Sequence, residues 1–404
     1  MHSPKAAEYQ THERGAVRSR SFEARPHPRP RRRRLGLAVF GATAALLGAA
    51  CDSTGGDGGQ AALRTAAGVV TPASDSDPMP GTVWVTNRSQ HEVTAFDARS
   101  GARLMTVPVG LNPIGVVAPP GVGKVYVSNE DSNTVSVIAK GARAVVREVS
   151  IPTGNAKPHH LTASPNGRFV YVAEFGSHRV AVIDTDADHV VTEYDAGAPG
   201  SKTHAVTVSP DGKTLYAVNS GANELVALTA DNGAREWSLP MGENPSEMVV
   251  APGGRIGYVS VRNEHTVKVV DLATPAVIDE VRVGTEPDTL QLTNDAKTLV
   301  VALRGTPAYV TLVDTGDLTG LRWVELDGRT TGHQWLSADD RHTFVAVESE
   351  AGAGSLGVVD NRSGRLIAQH TFPGSARPHG VFYEPTTMGH GEPATPPNQA
   401  GPGM

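Results

Sequence analysis

The stretch Val125-Tyr126-Val127-Ser128-Asn129 is one of seven short apolar segments that recur along the chain at a nearly constant spacing. The second residues of these segments fall at positions 84, 126, 171, 216, 258, 300 and 344, which gives steps of 42, 45, 45, 42, 42 and 44 residues. Self-similarity at such a period is typical of repeat architectures. The segments are Val83–Asn87, Val125–Asn129, Val170–Glu174, Leu215–Asn219, Gly257–Val261, Leu299–Leu303 and Thr343–Val347.

Each period contains further strand and turn signals around its apolar segment. A turn such as Ser209-Pro210-Asp211-Gly212 precedes the segment, and an alternating stretch such as Val267-Lys268-Val269-Val270-Asp271 follows it. Pro presets the φ angle of a turn and Gly takes the positive φ that other residues resist. Four short strands per period, seven times over, predict an all-β chain folded as a seven-bladed β-propeller of four-stranded antiparallel blades.

The two ends of the repeat region predict how the ring closes. The first unit begins at Thr82 and lacks a leading strand, whereas the last unit runs on through Pro378–Pro385. We expect this C-terminal strand to complete the N-terminal blade, so that no edge strand stays free. The propeller should therefore span residues 81–385.

The N-terminal region differs from the rest of the chain. Residues 1–34 carry ten basic and three acidic residues, and the apolar stretch Leu35–Ala50 follows them. This order is typical of a secretory signal peptide, which we place at residues 1–50. The stretch Leu46–Cys51 resembles the cleavage box of bacterial lipoproteins, which implies lipidation of Cys51; palmitate labelling of a Cys51→Ala variant would test it. Residues 51–80 are predicted to be the lipidated cysteine and a flexible Gly/Ser-rich tether, and residues 386–404 a disordered tail.

The charge of the chain beyond Cys51 limits its partners. The whole chain has 36 basic and 42 acidic residues, so removing ten and three leaves 26 and 39, a net charge near −13. An acidic body argues against nucleic-acid binding. A single cysteine also excludes an internal disulfide. We expect an exported monomer, lipid-anchored on the outer side of the cytoplasmic membrane or otherwise held in the cell envelope, with the anchor as its one membrane contact.

The repeated segments resemble the tetrad of the YVTN family of seven-bladed propellers, and Val83–Asn87 and Val125–Asn129 are the nearest copies. The resemblance covers residues 81–385 and implies the propeller fold. The family includes surface-layer and YncE-like periplasmic proteins, and related propellers work as lactonases, lyases and metalloprotein domains. The resemblance therefore leaves the function open.

Candidate site residues lie where each innermost strand begins. The residue after the loop proline, or its equivalent, is expected to face one channel mouth, and the position after it and the ends of the second strands are expected on the same face. These binding candidates are His159, His204, Asp288, His333 and His379, then His160 and Glu247, then Glu174 and Glu348.

Three of these candidates come from consecutive blades and could share a metal. Imidazole and carboxylate groups are common ligands of zinc and copper, so His333, His379 and Asp288 are the predicted metal ligands for a divalent ion. No catalytic residue is identifiable, and the sequence does not decide whether the protein is an enzyme. We expect a binding or scaffold module for a small molecule, peptide or envelope protein at the upper channel face. The alternative is a hydrolase or lyase, lactonase-like or streptogramin-lyase-like, that uses the same His/Glu/Asp ring and is metal-assisted if an ion is bound.

Overall fold

The computed structural model describes residues 80–349, 352–374 and 376–386. Every regular element within these ranges is a β-strand. In the same ranges no helix has the length and hydropathy needed to cross a bilayer. The predicted signal peptide 1–50, Cys51, the tether up to residue 79 and the tail from residue 387 lie outside the described residues.

The 28 strands group into seven four-stranded antiparallel sheets, and each sheet is one blade. Blade 1 contains β1 (Gly81–Asn87), β2 (Glu92–Asp97), β3 (Arg103–Pro108) and the last strand, β28 (Pro378–Pro385). Blades 2 and 3 contain β4 (Pro113–Val117), β5 (Lys124–Asn129), β6 (Thr134–Ala139), β7 (Ala144–Ser150), β8 (Pro158–Ala163), β9 (Phe169–Glu174), β10 (Arg179–Asp184) and β11 (His189–Asp195). Blades 4 and 5 contain β12 (Thr203–Val208), β13 (Thr214–Asn219), β14 (Glu224–Thr229), β15 (Arg235–Pro240), β16 (Pro245–Val250), β17 (Ile256–Val261), β18 (Thr266–Asp271) and β19 (Ala276–Arg282). Blades 6 and 7 contain β20 (Pro287–Leu292), β21 (Thr298–Leu303), β22 (Tyr309–Asp314), β23 (Arg322–Glu325), β24 (Thr330–Leu336), β25 (His342–Glu348), β26 (Ser355–Asp360) and β27 (Arg365–Thr371).

The predicted closure is confirmed. β28 forms the innermost strand of blade 1 and pairs antiparallel with β1, with Trp84 opposite Phe382 and Val83 opposite Tyr383. The two ends of the repeat region thus share one sheet, and the ring is fastened by backbone hydrogen bonds.

The hydrophobic core lies between consecutive blades. In β1, Val83 and Val85 pack in a cluster with Phe344 of blade 7, whereas Trp84, on the opposite face, packs with Tyr126 of blade 2. Successive side chains of a strand point to opposite faces. Both faces of a blade meet a neighbour, so middle strands such as β5 are buried at nearly every position, while outer strands such as β19 are largely exposed.

The recurring aspartates at the ends of the third strands cap turns. Asp184 Oδ1 accepts hydrogen bonds from the backbone N–H groups of Asp186 and Ala187, and Asp271 Oδ1 does the same for Ala273 and Thr274. Such contacts satisfy turn N–H groups that no strand reaches. These carboxylates have a structural role.

Candidate functional site

The innermost strands of all seven blades surround a central channel. Two adjoining cavities in it, of about 50 and 30 Å³, share the lining residues His160, Leu161, Glu247, Gln291 and Trp335. A water molecule needs roughly 10–15 Å³ of such space. The interior of the channel therefore has room for a few waters or an ion, and a larger ligand has to sit at a mouth.

The strand register corrects one predicted position. Pro158 pairs with Glu174 and Leu161 with Val172 in blade 3, and the equivalent pairs in blade 7 are Thr331 with Val347 and Gln334 with Val345. His333 is therefore equivalent to His160, one residue further along than predicted, and Gly332 takes the ring position. The ring of residues that follow the strand proline or its equivalent is Ile114, His159, His204, Ser246, Asp288, Gly332 and His379.

The histidines lie on the innermost strands themselves and not on the loops that enter them, because strands β8, β12, β24 and β28 begin before them. Five imidazoles form one contiguous string across the channel. Successive ring centroids are 4.6 Å apart for His379–His333, 4.2 Å for His333–His160, 4.8 Å for His160–His204 and 4.4 Å for His204–His159. All five side chains are buried.

Hydrogen bonds between blades orient two of these rings. His159 Nδ1 lies 3.2 Å from the carbonyl oxygen of His204, and His204 Nδ1 lies 2.8 Å from that of Ser246. A carbonyl oxygen only accepts, so Nδ1 carries the proton in both rings and Nε2 carries a lone pair. The Nε2 atom of His204 in turn accepts from Arg262 Nη2 at 2.9 Å.

Burial keeps four of the imidazoles neutral. Desolvation is the largest cause that holds their pKa values well below the usual range for histidine, and neighbouring imidazoles and arginines lower these values further. Neutral imidazole is the form that accepts a hydrogen bond or ligates a metal. The four residues are His159, His204, His333 and His379.

Asp288 is engaged by two arginines. Arg262 donates to Asp288 Oδ1 through Nε at 3.1 Å and through Nη2, and Arg304 Nη1 lies 3.6 Å from Oδ2. Burial raises the pKa of Asp288, but these guanidinium groups outweigh it and hold that pKa well below the usual range. Asp288 is therefore a buried, ionised counter-charge that accepts from Arg262 through Oδ1 and lies near Arg304 through Oδ2, and its predicted role as a metal ligand stays a prediction.

The sequence reasoning missed the arginines of this site. Arg262 and Arg304 each follow the second strand of a blade directly, at the position that Arg88 occupies in blade 1. A comparison of this position across the seven repeats could have identified both arginines, because the residue there is charged in five of the seven blades. The seven residues are Arg88, Glu130, Phe175, Ser220, Arg262, Arg304 and Glu348.

Comparisons with known proteins agree with this architecture. The sequence profile described as "Lactonase, 7-bladed beta-propeller" matches residues 85–305, more than half of the 404-residue chain. The chain belongs to this lactonase family. No curated protein matches the chain.

Several solved structures share the fold of this lactonase-family chain. Hydrazine synthase of Kuenenia stuttgartiensis is 21% identical with a TM-score of 0.59, and the match covers 72% of this chain and 97% of that one. A candidate 6-phosphogluconolactonase of Bacteroides fragilis is 17% identical with a TM-score of 0.60, covering 78% and 99%. A functionally unknown protein of Desulfotomaculum acetoxidans is 14% identical with a TM-score of 0.62, covering 76% and 99%. At such identities the likeness shows the fold alone.

Three of the nine predicted site residues of the lactonase-family propeller line the channel cavities, namely His160, Glu247 and His333, and the other six do not. Glu174 is fully buried at the end of β9, where Ser177 donates to its Oε2. In blades 2 and 4 the same place holds Asn129 and Asn219, whose amide groups donate within their own blades. Glu348 binds Arg377 through Oε2 at 3.2 Å. Glu174 thus occupies a structural asparagine position, and Glu348 belongs to the charged rim of the mouth.

Glu174 should make the stability of the protein depend on pH. Burial raises the pKa of Glu174 from 4.5 to about 8. The hydrogen bond from Ser177 and the positive charge of Arg179 oppose this rise, whereas the negative charge of Glu193 adds to it. The folded state therefore favours the protonated form, so the stabilisation is fully present below pH 4.5 and is lost as pH rises through about 8. A Glu174→Gln variant stays neutral and should be roughly 2–4 kcal/mol more stable than the wild type at pH 9.

Urea unfolding at pH 5 and pH 9 would measure this difference. The variant and the wild type should have similar free energies of unfolding at pH 5, and an exposed Glu280→Gln control should match the wild type at both values. A Glu174→Gln variant with the same pH dependence as the wild type would contradict the assignment.

Proposed function

We propose that this lactonase-family propeller hydrolyses a small lactone that carries an acidic group and binds at the channel mouth bounded by Arg262 and Arg304. The observation that carries the proposal is the arrangement of two guanidinium groups beside neutral imidazoles, with Arg262 bonded to both His204 and Asp288. Membership of the lactonase family supports the reaction class. The two cavities of the channel are too small for a lactone, so the substrate would sit above them at the mouth.

The mouth gathers arginines together with carboxylates on an acidic protein. Burial lowers the pKa of Arg88, Glu130 and Glu348 raise it, and Arg377 and Arg304 lower it further, which shows that these charged groups lie near one another. Like charges held together are stabilised by a bound anion, and such a cluster raises the local concentration of anionic ligands. Arginine pairs with carboxylate and phosphate groups in particular.

The same groups suit the opening of a lactone. Attack of water on the ring carbonyl places negative charge on its oxygen, and donors aimed at that oxygen lower the barrier. Arg304 is partly exposed and its Nη1 lies 3.6 Å from Asp288, so its guanidinium group can donate hydrogen bonds to a substrate. His159, fixed through Nδ1, offers the lone pair of Nε2 as a hydrogen-bond acceptor that orients the attacking water.

A panel of γ- and δ-lactones, with and without a carboxylate or phosphate substituent, tests the proposal. The purified protein should open the acidic lactones fastest. Arg304→Gln should raise KM for the acidic lactones at least tenfold, because a charge-assisted contact is lost, and Arg282→Gln on exposed β19 is the matched control. If the wild type opens no lactone above the uncatalysed rate, the proposal fails.

A second candidate is a module that binds a small anion without turning it over. The observation that favours it is that the polar groups already bond to one another, since both nitrogens of His204 are engaged and Asp288 accepts from Arg262 and Ser246. Acidic lactones or their hydroxy acids would then raise the melting temperature and stay intact. Absence of both turnover and a thermal shift would reject this candidate as well.

A further inference from the structure

We propose that His159, His160 and His204 bind a transition metal ion that prefers imidazole, such as zinc or copper, inside the channel. Each residue offers one ring nitrogen, and the three nitrogens lie within 4.8 Å of one another. No other group of three or more His, Cys, Asp or Glu side chains in the described part of the chain meets this criterion. The site is independent of the proposed hydrolysis and competes with it, because a bound metal would take the Nε2 lone pair of His159 that is proposed to orient water.

Two of the three rings, His159 and His204, have an Nδ1 atom anchored as in metal sites. His159 and His204 direct Nδ1 to backbone carbonyls, and His160 Nδ1 lies 3.5 Å from Glu247 Oε1. Metal-bound histidines nearly always place their second nitrogen against a carbonyl or carboxylate, which fixes the ring and its tautomer. Nδ1 is engaged in His159 and His204, so Nε2 is the candidate ligand atom of each ring, and in His204 this atom now accepts from Arg262.

An unsatisfied buried atom points independently to a ligand. His160 Nε2 has no hydrogen-bond partner, although the side chain is only 5% exposed. A buried polar atom without a partner destabilises the folded protein. His160 also lines both channel cavities, so there is space beside it for an ion. A bound metal would satisfy this nitrogen.

The site needs a small rearrangement. Zn–N bonds of about 2.0–2.1 Å in tetrahedral geometry place ligand nitrogens roughly 3.4 Å apart, so binding would draw the rings together. Arg262 would release His204 Nε2 but keep both of its bonds to Asp288. The carboxylates of Asp288 and Glu247 offset part of the added charge. Three protein ligands leave one position open, as in exchangeable or catalytic sites.

This set differs from the metal ligands predicted from sequence. Asp288 is taken by Arg262 and Arg304. His333 and His379 lie further along the imidazole string, with Nε2 and Nδ1 respectively unpartnered. The two arrangements make different predictions for histidine variants, so one experiment separates them.

Metal uptake by tag-free, chelator-treated protein tests the inference. We expect one equivalent of Zn²⁺ by calorimetry, and at least tenfold weaker binding in each of His159→Gln, His160→Gln and His204→Gln. His189→Gln on outer strand β11 is the matched control and should bind as the wild type does. Circular dichroism reports whether each variant folds.

Co²⁺ provides a measurement that needs no variant. In the wild type it should give the intense visible absorption of a tetrahedral nitrogen site. Absence of stoichiometric uptake, an octahedral Co²⁺ spectrum, or a loss of binding confined to His333→Gln and His379→Gln would overturn the assignment.

Discussion

A chain that ends at residue 377 is expected to lose the closed ring and fail to fold cooperatively. It lacks β28, whose side chains Val381, Phe382 and Tyr383 are all buried between blades. Full burial of each such side chain contributes about 1.5–3 kcal/mol. The free energy that these side chains and the backbone pairing to β1 contribute is comparable to the whole free energy of unfolding of a typical domain, about 5–15 kcal/mol.

Thermal unfolding followed by circular dichroism would measure the effect. A chain that ends at residue 386 is the control, because it keeps β28 and should unfold in a single transition. The point variant Phe382→Ala should lower the free energy of unfolding by about 3–5 kcal/mol, since it removes a buried ring that lies opposite Trp84 in the strand pair and 4.7 Å from the ring of Trp335. A 377-residue chain that melts within a few degrees of the control would refute the closure as the source of stability.

Asp288→Ala is expected to destabilise the protein by roughly 3–5 kcal/mol. Asp288 is 1% exposed and Arg262 15%, so removing the carboxylate leaves a guanidinium buried without its counter-charge. It also removes the acceptor of the Ser246 hydroxyl. Breaking a buried ion pair from one side costs more than the pair itself contributes, because the remaining charge stays desolvated.

Denaturant titration at neutral pH would quantify this change. Asp279→Ala on exposed β19 is the matched control and should stay within about 0.5 kcal/mol of the wild type. Asp288→Ala combined with Arg262→Met should recover part of the loss, because it removes the unpaired charge. If Asp288→Ala were neutral, Asp288 would not be the counter-charge of the site.

The fold was predictable from the chain because its signals are local. Strand alternation, turn residues and a repeat of 42–45 residues are properties of neighbouring positions, so they show in the sequence before any blade meets another. The predicted blades and the closure by Pro378–Pro385 are confirmed. His159, His204 and His379 were assigned to the correct ring position because each lies next to the first residue of its strand in a repeat that aligns well.

The candidate site depended on contacts that the sequence does not encode locally. β24 begins at Thr330 without the proline that marks most other innermost strands, so its register, and with it the place of His333, became visible only in the pairing with β25. The contact between Arg262 and His204 joins residues 58 positions apart, from different blades. Repeat spacing determines that seven blades form and close, whereas the direction of each side chain depends on the blade packed against it, and this packing decides which imidazole nitrogens remain free to bind.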